Sequence, residues 1–325
     1  MCTAVHFPGE PALFGRNLDL EYHFKEQIII TPRNFPFPFR CGDTLYQHYA
    51  MIGMATVAEG YPLYYEACNE HGLAMAGLNF PGNAEYLPPE DGWDNITPFE
   101  LIPYLLGNCR SVQQAKEKLG RIRLCNISFH PKLPLSPLHF ILADPEYAIV
   151  LEPGNDGLHV YDDTIGVLTN NPEFPWHLQN LANYMHISPM QSENRFSSRI
   201  SIQPYSSGMG AMGLPGDFSS ASRFVRTAFL KLNSLGNDIG QFFHILDSAA
   251  MPKGSVVMPD GRPEITQYSC CMDLINGVYY YTTYGNRQIT AVSLRQEDLD
   301  SRHMIAYPLS KGQAILLQNG TEEPI

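Results

Sequence analysis

Met1-Cys2-Thr3-Ala4-Val5 opens the chain, and the reading of its second residue decides the fold. Loss of Met1 alone would leave Cys2 first, with a thiol and a free α-amine on one residue. A thiol attacks well only as thiolate, and an α-amine with an ordinary pKa of about 7.7–8.0 can take its proton near neutrality. Nucleophile and base then share one residue, and no separate histidine is needed. The plainer alternative is that position 2 merely begins a strand. Cys2 by itself leaves both readings open.

Outward from that start, strand signals follow: Leu13-Phe14-Gly15-Arg16-Asn17-Leu18-Asp19-Leu20, Gln27-Ile28-Ile29-Ile30, Ala50 to Val57 and Tyr64 to Phe80. These runs are short, β-branched or aromatic, and punctuated by Gly, Pro and Asn, which predicts a mostly antiparallel sheet built of hairpins. Thr97-Pro98-Phe99-Glu100 is a capping box with proline in the first turn, and Ser111-Val112-Gln113-Gln114 repeats the signature, predicting helices over 98–107 and 111–120. A second strand block runs from Leu138 to Thr169, and a short helix from Trp176 to Met185. Phe224, Val225, Ala228, Phe229 and Leu232 recur at helical spacing, with Ser219, Ser220 or Ser222 to cap and Gly236 to stop the helix. Another helix covers Ile239 to Ala250. Ile265 to Leu274 and Val278 to Thr283 read as a hairpin turned at Asn276-Gly277. Blocks of strands alternating with blocks of helices, without a regular β-helix-β repeat, make an α+β protein of two packed sheets and outer helices. No linker divides residues 1–325, which read as a single domain with a polar, frayed tail at 318–325.

With 325 residues and 44% of them hydrophobic, the chain can bury a large core. Lys plus Arg total 21 against 33 Asp plus Glu, a formal charge of −12 that argues against a phosphate-neutralising surface, so no nucleic-acid partner is expected. No charged start precedes an apolar run, and nothing approaches the roughly 20 apolar residues of a membrane span, so the expectation is a cytoplasmic protein without a membrane partner. Seven cysteines without regular spacing suit a reducing compartment. Adjacent Cys270 and Cys271 would face opposite sides of a strand as packing residues. His139 and His177 read as core or hydrogen-bonding groups. Gly208-Met209-Gly210-Ala211-Met212-Gly213 matches the spacing of a dinucleotide fingerprint, but Pro215 and Gly216 follow where a helix is required, and Asn233 stands where an acid is. It reads as a loop. No metal or organic cofactor is expected.

What remains is a set of polar residues inside apolar strands: Arg16, Asn17 and Asp19; Asn79 within Ala76-Gly77-Leu78-Asn79-Phe80-Pro81; and Thr169, Asn170 and Asn171 after Gly166-Val167-Leu168. Buried without partners they would cost free energy. Arg16 and Asp19 can be a satisfied ion pair and the asparagines strand-end turns, or all can converge on Cys2. In a regular strand Arg16 and Asp19 point to opposite faces, so convergence predicts a bend or bulge near Asn17-Leu18.

Cys2-Thr3, Phe14-Gly15-Arg16-Asn17-Leu18-Asp19, Gly77-Leu78-Asn79-Phe80-Pro81, Val167-Leu168-Thr169-Asn170-Asn171-Pro172, Leu214-Pro215-Gly216-Asp217 and Ser222-Arg223-Phe224, in order along nearly the whole chain, resemble the choloylglycine hydrolases. These are the bile salt hydrolases and penicillin V acylases of the N-terminal-nucleophile superfamily. The resemblance implies a four-layer αββα fold, loss of Met1, and amide hydrolysis through a thioester on Cys2. It assigns Arg16 to the thiol, Asp19 to the amine, Asn79 and Asn170 to the oxyanion, and Arg223 to the supporting network. It also implies a homotetramer.

A steroid or phenoxyacetyl group needs a wide apolar pocket with few polar anchors. Tyr22-His23-Phe24, Ala58 to Tyr65 and Phe129 to Leu135 match the family's substrate loops in position, with Leu18, Phe24, Tyr61, Leu133 and Leu135 as expected lining residues. Asn at position 79 is typical of bile salt hydrolases, where penicillin V acylases carry Tyr. Conjugated bile salts are therefore the expected substrates. Penicillin V or another N-acyl amide is the alternative, and a non-catalytic protein that binds an apolar acid is the alternative of a different class.

Overall fold

A computed structural model gives the fold and describes residues 1–319, so from residue 320 on the expected tail lies outside the described residues. Two antiparallel sheets stack face to face. One has seven strands, in the order Val167–Leu168, Cys2–Phe7, Leu13–Leu20, Pro263–Asp273, Val278–Thr283 and Asn286–Ser293, with Val256–Val257 paired to the start of Pro263–Asp273. The other has eight: Gly157–Asp162, Ala148–Gly154, Leu138–Ala143, Ala74–Asn79, Tyr61–Asn69, Met51–Ala58, Gln27–Thr31 and Ile305–Pro308.

Alternation along the strands builds three cores. Cys2, Ala4, Phe14, Leu18, Ile28, Ile30, Ala76, Leu78, Cys270 and Met272 face inward between the sheets. Ile29, Met75, Phe140 and Leu142 face outward from the eight-stranded sheet. There they meet helices α1 (Leu101–Asn108) and α2 (Val112–Leu119). After the short α3 (Phe174–Asn180), α4 (Ser220–Leu232) and α5 (Ile239–Asp247) cover the seven-stranded sheet. On that side Val5, Leu13 and Cys271 pack against Phe242 and Leu246 of α5. The layers run αββα, as the resemblance implied, and Cys270 and Cys271 do lie on opposite faces.

Local chemistry sets the helix ends. Ser219 Oγ accepts from the Ser222 amide and Ser111 Oγ from the Gln114 amide, so both caps form. The first capping box forms by half: Glu100 Oε2 accepts from the Thr97 amide, but Thr97 Oγ1 is buried without a partner among the described residues. The helix therefore starts at Leu101 rather than at Pro98. Gly236 is not the stop of α4, which ends at Leu232 with Asn233 as its C-cap.

Candidate active site

Cys2 pairs with Leu18, Thr3 with Asn17 and Ala4 with Arg16 across the first hairpin. This register puts the side chains of Cys2, Arg16 and Leu18 on the inner face, and those of Thr3, Asn17 and Asp19 on the outer face. On the inner face Arg16 Nη2 donates to Cys2 Sγ at 2.5 Å, while Nη1 donates to the carbonyls of Gly77 at 2.6 Å and Tyr65 at 3.3 Å. Behind it stands the equally buried Glu66, whose carboxylate lies 3.7 Å from Nη1 and accepts from Tyr268 at 2.8 Å and Tyr279 at 2.6 Å. Burial alone would lower the Arg16 pKa, but Cys2, Tyr268, Glu66 and Cys270 around it hold it above the usual value. Burial raises the Glu66 pKa despite Arg16. The Arg16 charge is held by the thiol, the Gly77 and Tyr65 carbonyls and Glu66 that surround it.

The outer face is organised by Arg223, which α4 aims down at the first strand. Its guanidinium donates to the Cys2 carbonyl, to Thr3 Oγ1 at 2.7 Å and to Asn170 Oδ1 at 2.8 Å. Asn170 Oδ1 also accepts from the Cys2 backbone nitrogen at 2.8 Å, and its Nδ2 donates to the Asn79 carbonyl at 2.7 Å. Ser220 Oγ and His177 Nε2 hold the Asn170 backbone, and His139 bonds the Thr169 carbonyl, so both histidines serve as hydrogen-bonding groups. Asp19 Oδ1 accepts from Thr266 at 2.6 Å, whereas Oδ2 is buried with no partner among the described residues. Burial raises the Asp19 pKa, opposed by Arg223 and the terminal ammonium of Met1. Met1 extends the first strand by one step, its nitrogen donating to the Asp19 carbonyl at 2.7 Å and to Glu264, its carbonyl accepting from the Asp19 amide at 2.9 Å.

Cys2, Arg16, Asn170, Arg223 and the Asn79 carbonyl thus form one connected network, and Asp19 adjoins it through the charges of Arg223 and the chain terminus. The expected bend near Asn17-Leu18 is corrected. Pairing with the first strand runs unbroken from Leu13 to Leu18, and the irregularity sits in the facing strand, where Gln267 is the extra residue between Thr266 and Tyr268. A regular strand can serve both residues because Arg16 meets the sulfur on one face and Asp19 stands on the other, toward the terminus. The Asn79 side chain is exposed at its strand end, and its link to the network is its backbone carbonyl.

The expected lining residues divide. Leu18 is buried opposite Cys2, Phe24 and Leu133 are exposed, and Leu135 is half-buried. Tyr61 lies elsewhere, in the outer core, with its ring against Phe37, Phe99 and Phe129. A one-residue register shift, with Tyr65 of its own strand as the extra residue opposite Met54 and Ala55, accompanies this placement. Two cavities, of about 570 and 250 Å³, involve neither Cys2 nor any of these residues.

The model of the linear amide C–N hydrolases of the choloylglycine hydrolase family matches residues 2–307, beginning at Cys2. The bile salt hydrolase/transferase of Lactiplantibacillus plantarum is 50% identical over 314 residues, covering 95% of this chain and 97% of that protein. The crystal structure of a mutant conjugated bile acid hydrolase from Clostridium perfringens superposes with a TM-score of 0.93 at 37% identity, covering 98% of this chain and 99% of that one. The chain belongs to the choloylglycine hydrolase family. It is a hydrolase of linear amide C–N bonds. Penicillin V acylase from Agrobacterium tumefaciens shares the choloylglycine hydrolase fold, with a TM-score of 0.74 at 19% identity over 95% of this chain and 92% of that one.

Sequence reasoning missed several groups that surround the choloylglycine hydrolase site. Glu66 carried the same signal as Arg16, a charge inside the apolar run Tyr64-Tyr65-Glu66-Ala67-Cys68. Tyr268 and Tyr279 carried none, because aromatic residues are ordinary in strands. Glu264 and Thr266 alternate with apolar residues and look like a solvated edge, yet both are buried.

Proposed function

We propose that this choloylglycine hydrolase is a bile salt hydrolase that cleaves the amide of glycine- and taurine-conjugated bile salts through Cys2, exposed by loss of Met1. The observation that carries the reading is the contact of the buried Arg16 guanidinium with Cys2 Sγ at 2.5 Å. The similarity to bile salt hydrolases along the whole chain supports the substrate class. As a backbone amide, the Cys2 nitrogen has one hydrogen, given to Asn170. As a free amine it has more to give, and Asp19 Oδ2 is a buried acceptor nearby in need of a donor. The amine takes the thiol proton, Arg16 favours the thiolate, and sulfur attacks the amide carbonyl. The oxyanion takes the second N–H of Asn170 Nδ2 and a donor at Asn79. The proton held on the amine passes to the departing glycine or taurine nitrogen, leaving a thioester that water hydrolyses with the same amine as base. No metal or organic cofactor enters this scheme. Leu18, Phe24, Leu133 and Leu135 supply apolar contact for the steroid, and Tyr61 supports their loops from behind.

The same reading includes a cytoplasmic location and a homotetramer. No helix among the described residues is long and apolar enough to cross a membrane. Product analysis with glycocholate, taurocholate and penicillin V tests the reading. Wild type is expected to lack Met1 by intact mass and to release cholate, and Cys2→Ala to be inactive. Faster cleavage of penicillin V than of both conjugates would favour the acylase. Activity surviving in Cys2→Ala would end the mechanism, and binding without turnover would indicate the non-catalytic alternative.

A further inference from the structure

Two buried carboxylates, not one, stand at the chain terminus. Glu264, 3% exposed, lies in the strand beside Leu13–Leu20, two residues before Thr266, which bonds Asp19. Its carboxylate takes the Met1 ammonium, which the Asp19 carbonyl also accepts at 2.7 Å. The site is therefore built for a protonated primary amine. Loss of Met1 moves the terminal nitrogen by a single residue along the same strand, to the nitrogen that donates to Asn170 Oδ1 at 2.8 Å. We propose that Glu264 is a positioning residue for the Cys2 α-amine, forming with Asp19 a two-carboxylate cradle for the terminal nitrogen.

The inference rests on Cys2 being the nucleophile. The charged groups around the terminus are Asp19 from its own hairpin, Glu264 from the facing strand, Arg223 from α4 and, across the sheet beside the thiol, Arg16 backed by Glu66. Two arginines favour thiolate and disfavour a protonated amine. Glu264 acts in the opposite sense, stabilising the ammonium formed when the amine takes the thiol proton. Thiol and amine share the proton that must leave before the sulfur reacts. A neighbouring anion favours keeping that proton, so its removal favours release.

Glu264→Gln keeps size and hydrogen bonding while removing the charge. The alkylation rate of Cys2 by iodoacetamide and kcat/KM for glycocholate are measured across pH, after intact mass has established that Met1 is gone. A variant that retains Met1 is given a Cys2 terminus through a removable N-terminal extension. The acid limb of both profiles is expected to move down by about half to one pH unit, with a several-fold lower kcat plateau and little change in KM. Glu264→Asp should return the limb toward wild type. Asp260→Asn, which removes an exposed carboxylate on the same hairpin, should leave it in place. A limb unmoved in Glu264→Gln overturns the role of Glu264. A wild-type Cys2 that fails to alkylate would overturn the nucleophile reading instead.

Discussion

At the scale of single residues, burial decides which ionisable groups matter. Asp163 is 6% exposed; its Oδ1 accepts from the amides of Gly166 at 2.7 Å and Ile165 at 3.0 Å, and its Oδ2 has no partner among the described residues. Burial raises its pKa to about 6, against those backbone donors and Lys231. The folded pKa lies above the ordinary 3.8, so the stabilisation from the protonated form is complete below that value and lost as pH rises through about 6. Asp163→Asn keeps both amide bonds. It should gain stability relative to wild type between pH 4 and 6, by about 1–3 kcal/mol at pH 7, and urea midpoints at pH 4, 5, 6 and 7 would reveal it. Parallel curves would count against it. His6, lining the same 570 Å³ cavity, is lowered to about 4 by burial and weakens both proteins equally as pH falls below 6.5. The candidate site was legible at this scale at Arg16, Asp19 and Asn170, polar residues that interrupt apolar runs, although Glu66 carried the same signal and was passed over. It was illegible where alternation imitated a solvent face, as at Glu264, or where side chains from distant strands met, as Tyr268 and Tyr279 do at Glu66.

At the scale of elements, close approach of backbones fixes the central hairpin. A Cβ on Gly15 would stand 1.9 Å from the Cys270 carbonyl oxygen, inside a strand paired on both sides. Neither neighbour can retreat without losing ladder bonds on its far side. Gly15→Ala is therefore expected to accumulate as insoluble protein, and a soluble variant with wild-type thermal stability would contradict this. Strand positions were readable from the sequence because alternation persists whatever the strand packs against. Helix ends were less so: a tertiary contact took Glu100 Oε1, which accepts from the Arg40 amide, and Asn233, whose amide and side chain both donate to the Phe229 carbonyl, closed α4 before its glycine. The bend expected near Asn17-Leu18 is absent because Arg16 and Asp19 serve opposite faces of a regular strand, and the bulge at Gln267 of the facing strand had no signal in the sequence.

At the scale of the whole molecule, one group of exposed apolar side chains lies in the excursion between α3 and α4, apart from Leu235 and Ile315 to Leu317. Met185, Met190, Phe196 and Tyr205 are each more than 70% exposed. Monomers rarely leave so much apolar surface in water. Light scattering coupled to size exclusion is expected to return a mass near four chains, and replacing Phe196 and Tyr205 by Ser should shift it downward; a monomeric wild type would contradict the proposal. One practical consequence follows from the backbone pairing of Met1 with Asp19. Any fusion placed ahead of Met1 would turn the nitrogen that meets Glu264 and the Asp19 carbonyl into an uncharged amide. An affinity handle belongs at the opposite terminus, and a preparation tagged at the front and found inert says nothing about the enzyme.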